Sequence, residues 1–201
     1  TLGCLALTIL INLVKGPWGY PILAFVQAGA KVLPIMAILF VPILVFLPDI
    51  YMWARPEEVA KNPVLAHRQA FLNPIGFGIR AAVYFGIWTG IAMLLNKWSR
   101  LQDKTGDSEW EQKRVNLSAP AAIAFVLTVT LAVTDWIMSL EGHWYSTIFG
   151  LLFVAGELLT ALALAIAYLA YTSGGESLKG LVKPKHFHDL GTLLFTLVVF
   201  W

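Results

Sequence analysis

The sequence predicts an all-α integral membrane protein, a polytopic helix bundle with four complete transmembrane helices and two truncated ones. Hydrophobic residues make up 58% of the 201 residues and charged residues only 13%. The mean hydropathy is +0.73, which implies more apolar surface than a soluble domain buries. Several unbroken apolar runs also reach the roughly 20 residues that a helix needs to cross a bilayer.

The apolar runs place the helices. We expect full spans at residues 22–47, 75–95, 119–140 and 147–171, with truncated helices at 2–14 and from about 190 onward. The chain begins without Met and both ends fall inside apolar runs, so we expect a fragment, about the first half of a longer chain. Residues 1–201 then form a single transmembrane helical domain.

Two of these spans contain residues that affect packing. The span at residues 22–47 holds Lys31, Pro34 and Pro42, and proline in a membrane helix usually kinks it. Its first part is therefore expected to lie at the interface before the chain turns inward. In the span at residues 75–95, Gly86 and Gly90 form a small-xxx-small pair, a pattern that permits close helix packing.

The distribution of positive charge predicts the orientation. Alternating the loops across the membrane places ten of the fourteen Lys and Arg residues on one side and leaves Arg55, Lys61, Arg68 and Arg80 on the other. By the positive-inside rule, loops 96–117 and 172–189 are cytoplasmic and residues 140–146 face outward, to the periplasm of a Gram-negative bacterium. The expected location is the bacterial inner membrane, and a net charge of +2 gives no reason to expect nucleic-acid binding.

Two of the loops are candidate docking sites. The charge run in loop 96–117 is either solvated surface or a patch for a cytoplasmic partner or anionic lipid. Loop 48–74 is rich in proline and aromatic residues and is longer than a helix connection requires.

Arg80 and Asp135 are ionisable residues inside predicted spans, where a charge needs a partner or a path to water. Each lies about 8 Å below the outer surface by helical rise. The sequence therefore predicts a buried ion pair between them that fixes two helices. A functional proton or quinol group at either position is the alternative.

Glu157 lies near the bilayer midplane, about 15 Å along the predicted helix from residue 147. Helical spacing puts it on one stripe with Gly150, Val154 and Ala161. A carboxyl at this depth relays protons, or it is a protonated group hydrogen-bonded to a neighbouring helix.

The histidines and the cysteine predict no redox or metal centre within the chain. The four histidines, His67, His143, His186 and His188, fall in loops or at helix ends, where they do not form a bis-histidine haem site in the bundle core. Cys4 is the single cysteine, so the sequence has no cysteine cluster for iron–sulfur ligation. We expect no metal ligands and no catalytic residue in this chain.

Residues 134–150, which we call the signature segment, form a long and unusual string. It reads Thr134-Asp135-Trp136-Ile137-Met138-Ser139-Leu140-Glu141-Gly142-His143-Trp144-Tyr145-Ser146-Thr147-Ile148-Phe149-Gly150. The string resembles the signature of the membrane subunits of alternative complex III, the bacterial quinol:cytochrome c oxidoreductases, and is most similar to the F-type subunit (quinone-binding subunit 2). Supporting matches are Gly16-Pro17-Trp18-Gly19, Leu33-Pro34, Ile79-Arg80-Ala81-Ala82-Val83-Tyr84-Phe85 and His188-Asp189-Leu190-Gly191.

The resemblance implies an NrfD-like helix bundle and a set of partners. These are a sister NrfD-like membrane subunit, periplasmic multihaem cytochrome c and iron–sulfur subunits, and lipid. It implies that haem c and iron–sulfur clusters belong to the partners, that quinol binds at the level of the complex, and that this chain itself holds no cofactor. Glu157, Asp135 and Arg80 are the residues available for a proton path.

Two departures from the family pattern and two rival functions accompany this expectation. Gly142 stands where the family has proline, and Asn12 stands where a histidine is expected, which removes a surface ligand or proton group. The rivals are a secondary transporter that uses a midplane carboxylate and an NrfD-type membrane anchor of another reductase.

Overall fold

The computed structural model describes residues 1–173 and 182–201, and every regular element in these two ranges is a helix. The long helices are α1 (Leu2–Val14), α2 (Tyr20–Ala30), α3 (Leu33–Val45), α7 (Pro74–Thr105), α8 (Ser108–Trp136), α9 (Phe149–Ser173) and α10 (Pro184–Phe200). Between α3 and α7 lie the short helices α4 (Leu47–Ile50), α5 (Pro56–Lys61) and α6 (Pro63–Arg68). Short 3₁₀ turns cover Met52–Ala54 and Met138–Leu140.

Four helical stretches are long and apolar enough to cross a membrane, as expected of a multi-pass membrane protein. They are Tyr20–Val45, Pro74–Thr105, Ser108–Leu140 and Phe149–Ser173. The predicted all-α class, with four helices long and apolar enough to span a membrane, is therefore confirmed. Many large apolar side chains on these helices are exposed, including Ile38, Ile79 and Leu127, and lipid is the solvent that suits such surfaces.

The stretch Tyr20–Val45 consists of two helices, α2 and α3, separated at Lys31 and Val32. Pro34 occupies the first turn of α3, where its missing N–H breaks no helical hydrogen bond. The same residue cannot continue α2, because its ring clashes with the preceding turn. The predicted irregularity is thus present as a break. Pro42 is tolerated inside α3.

The connector at residues 96–117, which we expect to be partly helical, is helical except at Gly106 and Asp107, so both flanking helices extend beyond the predicted spans. Helix α7 continues to Thr105 and ends at Gly106, whose φ of 68° is the left-handed conformation that glycine adopts readily. Helix α8 then begins at once, because the Asp107 side chain accepts a hydrogen bond from the Glu109 N–H at 2.9 Å. Hydropathy finds only the part of a helix inside lipid, so it placed the end of α7 too early and the start of α8 too late.

A central core joins α1, α7, α8 and α9. Its fully buried members include Leu5, Trp88, Leu95 and Leu162. Gly3 lies at a close crossing of α1 and α9, since a Cβ on this residue would lie 2.0 Å from the Glu157 carbonyl oxygen. Glycine thus permits α1 to lie directly against α9.

Gly86 and Gly90 do not pack as predicted. Among the described residues, no atom lies within 4 Å of a Cβ built on either glycine. Helix α7 buries its other face against α8 with Ala81, Tyr84 and Trp88. The small-xxx-small pattern is therefore on the face that α7 turns away from this bundle.

The bundle has two ends. One, the signature end, holds the signature segment together with residues 48–73, and the other, the opposite end, holds the turn between α7 and α8.

The final helix begins at Pro184, earlier than the predicted residue 190. The predicted loop 172–189 includes residues 174–181, which lie outside the described residues.

Candidate functional site

A charged network at the signature end joins α7 to α8. The Arg80 Nε donates to Asp135 Oδ2 at 2.8 Å, and its Nη2 donates to Asp135 Oδ1 at 2.9 Å. The Tyr84 hydroxyl donates to Asp135 Oδ2 at 2.9 Å. Asp135 is fully buried, whereas the Arg80 side chain keeps 22% of its surface exposed. The predicted ion pair between Arg80 and Asp135 is present.

Helical periodicity places the members of this network. Arg80 and Tyr84 are one turn apart on α7, so both side chains point to the same neighbour. Phe71, from the segment before α7, lies against the guanidinium with 4.0 Å between the Arg80 Cζ and the ring centroid. The network therefore satisfies both carboxylate oxygens and covers the cation on one face.

Two hydrogen bonds fix the start of the signature segment, one within the segment and one from Tyr51. The Ser139 hydroxyl donates to the Asp135 carbonyl, one turn earlier in the chain, and so stabilises the turn that follows α8. The Tyr51 hydroxyl donates to the Trp136 carbonyl at 2.9 Å. Burial, and then the nearby Asp135 carboxylate, raise the pKa of Tyr51 to about 12, so this hydroxyl remains a donor at physiological pH.

Helix α6 and the Asn62 residue that precedes it supply further contacts to the same segment. Arg68 Nη1 donates to the Gly142 carbonyl at 3.0 Å, and Asn62 Nδ2 lies 3.1 Å from His143 Nε2. The signature segment and residues 48–73 thus form one continuous surface.

The side chains of the signature segment include a partly buried tryptophan and several exposed apolar groups. Trp136 packs among Phe40, Phe85 and Trp88, with ring centroids 4.5, 5.6 and 5.8 Å away. Trp144 and Tyr145 are 44% and 72% exposed, and Leu140 is 44% exposed. Trp136 fixes the segment to the bundle, and the exposed side chains leave apolar surface uncovered at this end.

Glu157 lies apart from this network, on the wall of a cavity of about 650 Å³. Its Oε2 atom is buried and has no hydrogen-bond partner among the described residues. Gly156, Thr160 and Trp201 line the same cavity. Since α9 begins at Phe149, Glu157 is about 12 Å along the helix, slightly shallower than predicted.

Val154 and Ala161, from the predicted stripe, are buried beside Glu157 and face the bundle as expected. The structure does not bring Glu157 into contact with Arg80 or Asp135: the polar partners of that pair are Tyr84 and each other. The three candidate residues therefore belong to two separate sites.

Asn12 is not the surface position that we expected. It is 7% exposed, its Nδ2 donates to the Thr8 carbonyl at 2.9 Å, and its Oδ1 accepts from Arg114 Nη1 at 3.2 Å. This residue therefore joins α1 to α8 inside the bundle. At Gly142, a Cβ would meet only the end of the Leu65 side chain, at 2.7 Å.

Sequence reasoning missed three residues of the site: Tyr84, Tyr51 and Arg68. A signal existed for Tyr84, because its spacing from Arg80 puts both on one helix face. Tyr51 and Arg68 contact backbone carbonyls far away in the chain, and residue patterns do not reveal such contacts.

Comparisons with protein-family models and with curated proteins give no match to this chain.

Proposed function

We propose that this chain is an NrfD-like integral membrane subunit of a quinol-oxidising respiratory complex of the alternative complex III type, in a bacterial inner membrane. In this proposal, quinol is oxidised beside the chain, in a sister membrane subunit. Electrons pass to iron–sulfur and multihaem cytochrome c subunits on the periplasmic side. The chain itself provides scaffolding and a proton path.

The observation that carries the proposal is the construction of the signature end. The string that resembles the family signature is held by buried charge, by Tyr51 and by Arg68. It leaves Trp144 and Tyr145 exposed beside the surface formed by residues 48–73. Such a rigid surface with uncovered aromatic side chains suits a peripheral protein partner.

The proton path rests on Glu157. A carboxyl whose oxygen is buried without a partner is costly to retain for packing alone. In an apolar cavity of this size, it takes up a proton from one side and releases it to water or to a neighbouring subunit. Asp135 is less suited to proton transfer, because Arg80 and Tyr84 occupy both of its oxygens.

Isolation of the native assembly tests the proposed function. The full-length protein carries an affinity tag, is expressed in its own cells and is purified in mild detergent. We expect c-type haem absorbance and iron–sulfur protein to migrate with it on a native gel. Migration of the chain without haem, with all other subunits absent, would contradict the proposal.

Secondary transport is the second candidate function, and the break between α2 and α3 favours it. Transporters bind substrates near the midplane, at discontinuous helices. The broken span contacts α1 at Gly29, where a Cβ would lie 2.5 Å from Cys4 Sγ, and α1 in turn contacts Glu157. Substrate-dependent proton uptake by the purified chain alone, in liposomes, would favour this function.

A further inference from the structure

A groove at the opposite end of the bundle combines positive charge with an apolar wall. It has a volume of about 630 Å³ and lies where the break between α2 and α3 meets the last turns of α7. Lys31, Lys97, Arg100 and Lys104 line it. Apolar side chains line it as well, with Pro34, Met93 and Leu94 among them, and Met93 lies one helical turn before Lys97 on α7.

The four cations have no acidic partner among the described residues. The salt bridges of that part of the chain involve Lys15, Lys61, Arg80 and Lys113 as cations, and none involves a groove residue. Lys31, Lys97, Arg100 and Lys104 are all exposed. Asp103 lies on the same stretch of α7 but does not line the groove. Among the residues that the structure describes, no carboxylate therefore compensates the positive charge of the groove.

Asn96 adds a polar group at the floor of the groove. It is 4% exposed, and its Nδ2 donates to the Ala92 carbonyl at 2.8 Å. Its Oδ1 is buried and has no partner in the described residues. The floor thus offers one acceptor that needs a donor from a bound molecule.

The position of the groove matches one boundary of a bilayer. Lys97 lies about 26 Å along α7 from Arg80, and Arg100 about 30 Å. Since Arg80 is about 8 Å inside the other surface by helical rise, a hydrocarbon core of about 30 Å ends near Lys97. A contact from Gln27 Nε2 to Ser99 Oγ, 3.1 Å long, holds α2 against α7 at this level.

We propose that this groove binds an anionic phospholipid of the phosphatidylglycerol class. The juxtaposition of Lys31, Lys97 and Arg100 with an apolar wall directly below them fits a lipid phosphate and its acyl chain. A glycerol hydroxyl of the headgroup donates to the unpaired Asn96 Oδ1. Choline headgroups lack this donor, and their cation is repelled by the three side chains.

Titration with a short-chain lipid tests the site on the purified full chain in detergent. The probe is dioctanoyl-phosphatidylglycerol, and the readout is native mass spectrometry of the bound lipid. The site variant carries Lys97→Gln and Arg100→Gln. The matched control carries Lys113→Gln and Lys185→Gln, which remove the same charge outside the groove.

We expect the site variant to bind phosphatidylglycerol about 30-fold more weakly than the wild type, since each basic residue near a membrane surface contributes about fivefold. The control variant is expected to bind within about twofold of the wild type. Asn96→Leu keeps the charges and is expected to reduce the preference for phosphatidylglycerol over phosphatidic acid, which lacks the headgroup glycerol.

Three results would overturn the proposal. Equal weakening in the site and control variants would show a general effect of charge. Equal binding of dioctanoyl-phosphatidylcholine would show that the groove selects acyl chains only. Displacement of the lipid by inorganic phosphate at the same concentration would show that the groove takes a free anion rather than a lipid.

Discussion

Arg80 and Asp135 are joined by two nearly parallel hydrogen bonds, of 2.8 and 2.9 Å, across the interface between α7 and α8. The bidentate geometry fixes the relative rotation of the two helices, because a guanidinium and a carboxylate meet in this way in only one plane. Asp135 also lies in the last turn of α8, and its carbonyl accepts a hydrogen bond from Ser139 in the turn that follows. One ion pair therefore controls both helix packing and the position of the signature segment.

Replacement of the buried carboxylate tests this role. Asp135→Asn leaves the Arg80 cation facing a neutral amide, and loss of one partner of a buried pair costs about 3 kcal/mol. We expect a matching fall in the free energy of unfolding, measured by denaturant titration in detergent. Glu58→Gln, which removes the exposed pair with Lys61, is the control and is expected to change stability by less than about 0.5 kcal/mol. Equal effects of the two changes would argue against a structural ion pair.

Gly3→Ala tests the crossing of α1 and α9. The added methyl group meets backbone atoms of Glu157, which cannot rotate away. We expect a loss of about 1–3 kcal/mol, the usual range for overpacking. Gly86→Ala is the matched control, since its Cβ meets open space in the described residues, and alanine in a helix is expected to be neutral or stabilising by up to about 1 kcal/mol.

Comparison of the two variants separates the effect of a steric clash between helices from the effect of alanine's higher helix propensity. Thermal unfolding in detergent, followed by circular dichroism, supplies the measurement. A stable Gly3→Ala protein would mean that α1 does not lie directly on α9.

Glu157→Gln tests the proton path. Glutamine keeps the size and hydrogen-bonding shape of the side chain but cannot release a proton at physiological pH. We expect quinol-driven proton uptake by assemblies that contain the variant to fall at least tenfold, while the assembly remains intact on a native gel. Glu109→Gln, an exposed carboxylate at the opposite end that pairs with Lys113, is expected to leave uptake unchanged. Wild-type uptake in the Glu157 variant would remove this residue from any proton path.

Arg68→Gln tests how the signature segment is held. The change removes the hydrogen bond from Nη1 to the Gly142 carbonyl, so local opening of the segment becomes easier. We expect amide hydrogen exchange in residues 137–148 to accelerate several-fold. Arg55→Gln is the control, because Arg55 contacts the carbonyls of Pro48 and Asp49. Unchanged hydrogen exchange in the Arg68 variant would mean that the signature segment is held in place without the Arg68 hydrogen bond.

Composition and apolar length predicted the class of fold and the number of spans, because lipid imposes both on any helix that crosses it. Helix ends were predicted less well. Gly106 and Asp107 end one helix and begin the next within a charged run, where hydropathy carries no information about structure. The break after Lys31 was predicted as an irregularity, since proline acts locally.

The candidate site was predictable in part. Depth along two adjacent helices brought Arg80 and Asp135 together in the prediction, since a charge in lipid needs a partner. Tyr51 and Arg68 were missed because their partners are backbone carbonyls, which every residue has. Gly86 and Gly90 were assigned to packing, although no described residue packs on their face of α7. Residue spacing shows which helix face a pair shares, but it does not show what lies against that face.

The most direct test of the account is the topology of the chain in the membrane. In a Cys4→Ser background, Thr147→Cys labels the signature end and Thr105→Cys labels the opposite end; both threonines are exposed. A maleimide that does not cross membranes is added to intact cells of a bacterial host. We expect it to modify the cysteine at 147 at once and the cysteine at 105 only after the membrane is permeabilised. Modification of the cysteine at 105 in intact cells, or recovery of the chain in the soluble fraction, would contradict the account.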